Sequence, residues 1–178
     1  MEPRGRKISI IGAGAVGTAI AYSALIRGVA RQVALMDVNA AKVAAEVLDL
    51  SHGLEFVPRA TVTGGPDPQV CAGSDVVLFT AGAKQKPGQS RLELAEATIE
   101  LTRTALPPIV EAAPDATFVM VTNPVDVVTY AALKFTGLPR NRLFGSGTVL
   151  DSSRLRFLVS EHCGVAVQNV HAYIAGEH

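Results

Sequence analysis

Apolar residues in this chain fall in short unbroken runs, spaced by stretches of helical period. Lys7 to Ile11, Gln32 to Met36 and Asp75 to Thr80 ("DVVLFT") read as strands, the last without alternation, as expected when both faces are covered. Ala60 to Thr63, Ala116 to Thr122 and Leu143–Phe144 read as three more. Between them the spacing predicts helices. One runs from Ala15 to a stop at Gly28. A second starts at Asn39 and ends near Ser51, with Val43, Val47, Leu48 and Leu50 as its apolar face. A long helix follows the loop Ala81–Ser90, another runs from "NPVDVV" to Gly137, and a last spans Asp151 to about Cys163. "GGPDP" (Gly64–Pro68) has loop chemistry. Strands alternating with helices imply an α/β fold, a doubly wound parallel sheet with helices on both faces.

Composition narrows the class. At 178 residues, 48% hydrophobic and 18% charged, the chain can bury a core and is not expected to be disordered. A formal net charge of zero without Lys/Arg runs argues against nucleic acid or an anionic membrane as partner. Cys71 and Cys163 have no metal-ligand spacing, so no metal is expected and the thiols fit a reducing, cytoplasmic setting. Ile8 to Ile26 is an uncharged stretch of 19 residues behind Arg4, Arg6 and Lys7, which imitates a signal peptide or short membrane span. Its glycines fit a strand, a tight turn and a buried helix better.

Those glycines carry the first chemical signal. "GAGAVG" (Gly12–Gly17) is a G-x-G-x-x-G that follows a strand and opens a helix, with Asp37 lying 20 residues beyond Gly17 at the end of the next strand. Gly12 permits the turn, Gly14 lets the backbone approach a pyrophosphate, and Gly17 lets the helix pack on the sheet. The first turn of the helix, with Ala15 and Val16, presents free N–H groups to phosphates. Asp37 can accept hydrogen bonds from ribose hydroxyls and would repel a 2′-phosphate, favouring NAD over NADP. The sheet is thus of the Rossmann type. Thr80, Ala81 and Gly82 ("TAGA"), and Thr122 and Asn123 ("TNP"), sit at other strand ends, where ligands of such sheets bind. Asn123 before Pro124 equally suits a plain turn.

Further polar groups cluster late in the chain. Asp151 and Arg154 are three apart on a helix and share a face, and His178 follows Gly-Glu. Reducing a 2-oxo acid by hydride calls for a His as proton donor, a carboxylate to orient it, a guanidinium fork for the substrate carboxylate and a second cation for the carbonyl.

"GAGAVG", "AGAKQKPGQSR", "VTNPVDV", "GSGTVLDSSRLRF" and the final "GEH" occur in one order that closely resembles the L-lactate/malate dehydrogenase family. The resemblance implies NAD as cofactor, His178 as catalytic acid/base and Asp151 as its orienting carboxylate. It implies Arg154 as the holder of the substrate carboxylate, Arg91 as the mobile-loop arginine that polarises the carbonyl, and Asn123 as a contact to the reacting centre. Gln85 stands where malate-specific members carry Arg. A neutral Gln favours pyruvate, because oxaloacetate would bring an unpaired carboxylate; Lys84 and Lys86 beside it leave oxaloacetate as the alternative. A non-catalytic NAD-binding module is the alternative of a different class. Arg156 and His171 match positions that bind fructose 1,6-bisphosphate in bacterial members, and the family implies a homotetramer; an interface pair without a ligand is an equal reading.

The resemblance also divides the chain: residues 1–145 as the NAD-binding domain and 146–178 as the beginning of an α+β substrate domain. Members of the family continue well beyond "GEH", so the chain reads as cut after its catalytic His. Alone it is expected to bind NAD weakly and to be inactive.

Overall fold

In the computed structural model, which describes residues 6–83, 88 and 90–178 (without the side chain of Arg91), six parallel strands form one sheet. They are β1 (Lys7–Ile11), β2 (Gln32–Met36), β3 (Thr61–Gly65), β4 (Val76–Phe79), β5 (Thr117–Met120) and β6 (Leu143–Gly145), in the order β3-β2-β1-β4-β5-β6. The order reverses at β1, so the chain switches between β1 and β4 there, and a crevice opens at their carboxyl ends. Among the described residues five α-helices connect or follow the strands: α1 (Ala15–Ile26), α2 (Ala40–His52), α3 (Arg91–Ala112), α4 (Val125–Thr136) and α5 (Val149–Cys163).

The unbroken apolar strands have a physical reason. Neighbouring residues feed two separate cores on opposite faces. Ile10, Val33 and Leu35 pack with Ala21, Leu25, Val43 and Leu50 of α1 and α2. Ile11, Met36, Val77, Phe79, Phe118 and Met120 pack with Leu106, Ile109, Val128 and Ala132 of α3 and α4. Phe79 and Phe118 are wholly buried. Burying such a side chain contributes about 1.5–3 kcal/mol.

Three expectations are corrected. Gly64 and Gly65 belong to β3 rather than to a loop. A Cβ on Gly64 would stand 2.6 Å from Val47 Cγ2 and 2.7 Å from the Leu35 carbonyl, so α2 approaches the sheet too closely for any side chain there. Leu48 is 58% exposed and takes no part in the apolar face of α2; it lies five residues after Val43, about 140° around the helix. The last helix starts two residues early, at Val149. Coverage of the sheet is also uneven. The side chains of Val76, Leu78, Thr117 and Val119 are only half-buried, and an apolar groove of about 640 Å³ runs between Leu78, Ile8 and α1. On α5, Val149, Leu150, Phe157 and Leu158 are exposed. Among the described residues no helix is long and apolar enough to cross a membrane.

Candidate functional site

The glycine-rich turn is fixed from three sides. Gly12 has φ +98°, a conformation that suits only glycine. Its N–H donates to the Met36 carbonyl (2.7 Å), and the Thr80 hydroxyl donates to the carbonyls of Ile11 (2.8 Å) and Gly12 (3.2 Å). A Cβ on Gly17 would collide with the Gly12 carbonyl oxygen. Gly14 differs: a Cβ there would meet nothing within 4 Å. Its small size is not needed for packing, so it leaves room for something outside the chain.

Gly12, Gly14, Asp37, Thr80, Ala81 and Gly82 line one groove of about 360 Å³ at the switch in strand order. Gly14, the residue before α1, lines this groove, and the first turn of α1 has no acidic residue and no side-chain cap, so its leading N–H groups are open to an anion there. Asp37 stands at the rim. Its Oδ2 accepts from the Ala13 N–H (2.8 Å) and its Oδ1 from the Asn39 N–H (2.9 Å). Asp37 therefore also ties the glycine turn to the end of β2, a job the fingerprint alone does not reveal. Each oxygen retains a second lone pair for a ribose hydroxyl. The open face of Gly14, the uncapped helix start and the carboxylate at the rim together fit a dinucleotide.

Not every residue expected here faces this groove. Ala15 and Val16 are exposed and line the separate apolar groove along α1. Thr122 is buried, with its hydroxyl donating to the Ala81 carbonyl (2.8 Å). It braces the "TAGA" turn from below, and a Cβ on Gly82 would stand 2.6 Å from its methyl group. Asn123 is exposed at the end of β5, where its Oδ1 accepts from the Val125 N–H (3.3 Å) across a cis Asn123–Pro124 peptide.

A second cluster forms around His178. Residues 165–178 turn back along α5 and are bonded to it repeatedly. Arg156 Nε donates to the Ala172 carbonyl (2.8 Å), the Ile174 N–H to Ser152 Oγ (3.0 Å) and Thr148 Oγ1 to the Ile174 carbonyl (2.6 Å). The Arg156 guanidinium lies over the Tyr173 ring, 4.3 Å from its centre. The return brings His178 Nδ1 to 2.5 Å from Asp151 Oδ2. The hydrogen bond from His178 holds the Asp151 carboxyl below the usual carboxylate range; the charges of His178 and Arg154 act in the same sense, against partial desolvation. Arg154 Nη1 lies 3.6 Å from Asp151 Oδ1, and its side chain is 64% exposed. The three residues thus meet as one group: imidazole, carboxylate, guanidinium. Arg156 is spent on the return segment, and His171 is exposed.

Gln85, with Lys84 and Lys86, lies outside the described residues, as does the Arg91 side chain. The backbone of Arg91 opens α3, and its placement has a cause. Ser90 Oγ accepts from the Glu93 N–H (3.2 Å) while Glu93 Oε2 accepts from the Ser90 N–H (2.8 Å), a reciprocal cap. The Ser90 N–H and the Ser90 hydroxyl (Oγ to Oε2, 2.8 Å) both donate to the Glu93 carboxylate and, main chain first, lower its pKa. Ser90 was expected only as the end of a loop and Glu93 in no role, although S-x-x-E before a helix is the signal of this cap.

Comparison with known proteins places the chain. Residues 6–145 match the lactate/malate dehydrogenase NAD binding domain, and residues 148–178 match the lactate/malate dehydrogenase alpha/beta C-terminal domain. The L-lactate dehydrogenase of Bifidobacterium animalis subsp. lactis is 55% identical over 172 residues, covering 97% of this chain and 54% of that protein. L-lactate dehydrogenase B of Hordeum vulgare is 49% identical, with coverage of 97% and 50%. The crystal structure of the minor L-lactate dehydrogenase from Enterococcus mundtii superposes with a TM-score of 0.93 at 40% identity, over 97% of this chain and 55% of that one. The chain spans about half the length of the curated relatives it matches. Its strand order, its glycine turn and these matches agree: residues 6–145 hold an NAD-binding domain, and the chain belongs to the lactate/malate dehydrogenase family.

Proposed function

We propose that the whole protein is an NAD-dependent L-lactate dehydrogenase that interconverts pyruvate and L-lactate. The observation that carries the reading is the His178–Asp151–Arg154 cluster attached to an NAD-binding sheet. Gly12, Gly14 and Asp37 would hold the cofactor, with Gly17 letting α1 pack against the glycine turn and Thr80, Ala81 and Gly82 shaping the groove. When bound, NAD supplies the hydride donor and acceptor. His178 then moves the proton. Its Nδ1 is engaged by Asp151, so Nε2 is the atom left to give a proton to the substrate oxygen and to take it back in the reverse direction. Asp151 fixes the orientation of the ring through Nδ1. Arg154, largely exposed, has guanidinium N–H groups to spare for a substrate carboxylate.

The remaining assignments rest on the family. Arg91 would polarise the carbonyl, Asn123 would contact the reacting centre, and Gln85 would face the substrate methyl group. We divide the chain at residue 145 between the cofactor domain and the start of the substrate domain. The exposed apolar residues of α5 and the groove along α1 suit surfaces that are covered in a whole protein of the relatives' length, or in a homo-oligomer. The engagement of Arg156 with Ala172 and Tyr173 favours a structural role for it over binding fructose 1,6-bisphosphate with His171.

The test is NADH oxidation by the whole protein with pyruvate and with oxaloacetate, for the parent and for Gln85→Arg. The parent is expected to prefer pyruvate, and the variant to shift towards oxaloacetate. A parent that prefers oxaloacetate would make it a malate dehydrogenase. NADH binding with no turnover of either would leave the cofactor-binding module.

A further inference from the structure

The return segment that ends in His178 is bonded to α5 at Asp151, Ser152 and Arg156 and to Thr148, the residue that caps its start. All four anchors thus belong to α5 or its cap. They set the imidazole relative to α5 but not relative to the cofactor groove. One further bond crosses over: the main-chain N–H of His178 donates to Asp126 Oδ2 at 2.8 Å. Asp126 lies in the first turn of α4, directly after β5. Three residues before it, in the turn that leads into α4, stands Asn123, whose side chain braces that turn through the Val125 N–H.

We propose that Asp126 is a positioning residue for His178, a hydrogen-bond acceptor that registers the imidazole against the Asn123 turn and thereby against the cofactor groove. The proposal rests on the reading of His178 as the acid/base. Asp126 acts through the backbone of His178 and touches no reacting atom. An exposed carboxylate on a main-chain N–H adds little to folding, since water competes for both partners. Its value lies in placement, where an error of about 1 Å can cost roughly 100-fold in rate. The charge is not what the geometry requires. A carbonyl oxygen at the same place serves equally, so Asn should substitute for Asp, whereas Ala and Ser should not. Asn also controls for loss of a favourable charge at the start of α4.

The experiment compares the whole protein with its Asp126→Ala, Asp126→Ser and Asp126→Asn variants. It reads kcat, the KM for NADH and pyruvate, and the exchange of the His178 main-chain amide by NMR with ¹⁵N-histidine. Asp126→Ala is expected to lower kcat about 10-fold, in line with a small misplacement of the ring. The KM for NADH should stay within about twofold, and amide exchange should accelerate. Asp126→Asn should restore both. Asp126→Ser, too short to reach the amide, should match the Ala variant and stands in for it should that one fail to fold. Parent-like kcat and exchange in both the Ala and Ser variants would overturn the proposal, as would an Asn variant as impaired as Ala. A parent that turns over neither pyruvate nor oxaloacetate would remove the acid/base reading, while the amide exchange would still decide whether Asp126 holds His178.

Discussion

His178 Nδ1 lies 2.5 Å from Asp151 Oδ2, across 27 residues of sequence. The bond lowers the pKa of Asp151, and this has a defined sign in stability. A carboxyl held below its unfolded value contributes stability above that value, about pH 4, and loses it as pH falls through the depressed one. Asp151→Asn should therefore lower the melting temperature most near neutrality, and the gap from the parent should close in acid. Thermal melts at a series of pH values check this. A gap that stays constant down to pH 3 would contradict it.

Gly14 and Gly17 make opposite predictions from one motif. Gly17→Ala drives a methyl group into the Gly12 carbonyl, so both fold stability and NADH binding should fall. Gly14→Val adds atoms to open space at a residue with φ −82°, which any side chain tolerates. Its melting temperature should stay close to the parent's while NADH affinity falls about 10-fold or more, as expected when the backbone can no longer approach the pyrophosphate. Melting curves and NADH fluorescence titrations on the two variants separate the cases.

Asp37 should set coenzyme choice. Asp37→Ser removes the charge that would repel a 2′-phosphate and leaves a short acceptor near the Ala13 N–H. The ratio of NADPH to NADH affinity should rise about 10-fold or more, the scale of relief of one close like-charge contact. Competitive titration measures it. An unchanged ratio would show that Asp37 serves only the glycine turn.

Phe118 tests the core on the α3 and α4 side. It is wholly buried between Met120, Leu106 and Leu143 within one apolar cluster. Phe118→Ala should cost about 3–5 kcal/mol. Urea unfolding measures it, and a cost below about 1 kcal/mol would mean that the site collapses around the smaller side chain.

Much of this was legible in the residues. β1 and β2 were readable residue by residue, because each is an apolar run bounded by charge or glycine, and Gly137 ends α4 in the left-handed conformation its position foretells. The dinucleotide turn was readable because glycine spacing reports backbone geometry directly. The strand position of Gly64 was not, since glycine in a loop and glycine under a closely packed helix look alike in sequence. Thr80 and Thr122 sit where ligands bind, but their hydroxyls are spent on carbonyls of the turns they hold. Thr80 both lines the groove and braces its turn while Thr122 only braces, a difference that residue type does not carry. Asp126 escaped for the same reason: its partner is a main-chain N–H distant in sequence, which leaves no mark on residue type.

On the proposed function His178 moves the proton in a reaction whose cofactor is held elsewhere. The most direct measurement is NADH oxidation with pyruvate by the whole protein and by His178→Asn, alongside NADH binding by each. The variant is expected to bind NADH within about threefold of the parent and to lose roughly 100- to 10,000-fold in turnover, the range for removal of a general acid. Equal turnover by the two proteins would contradict it.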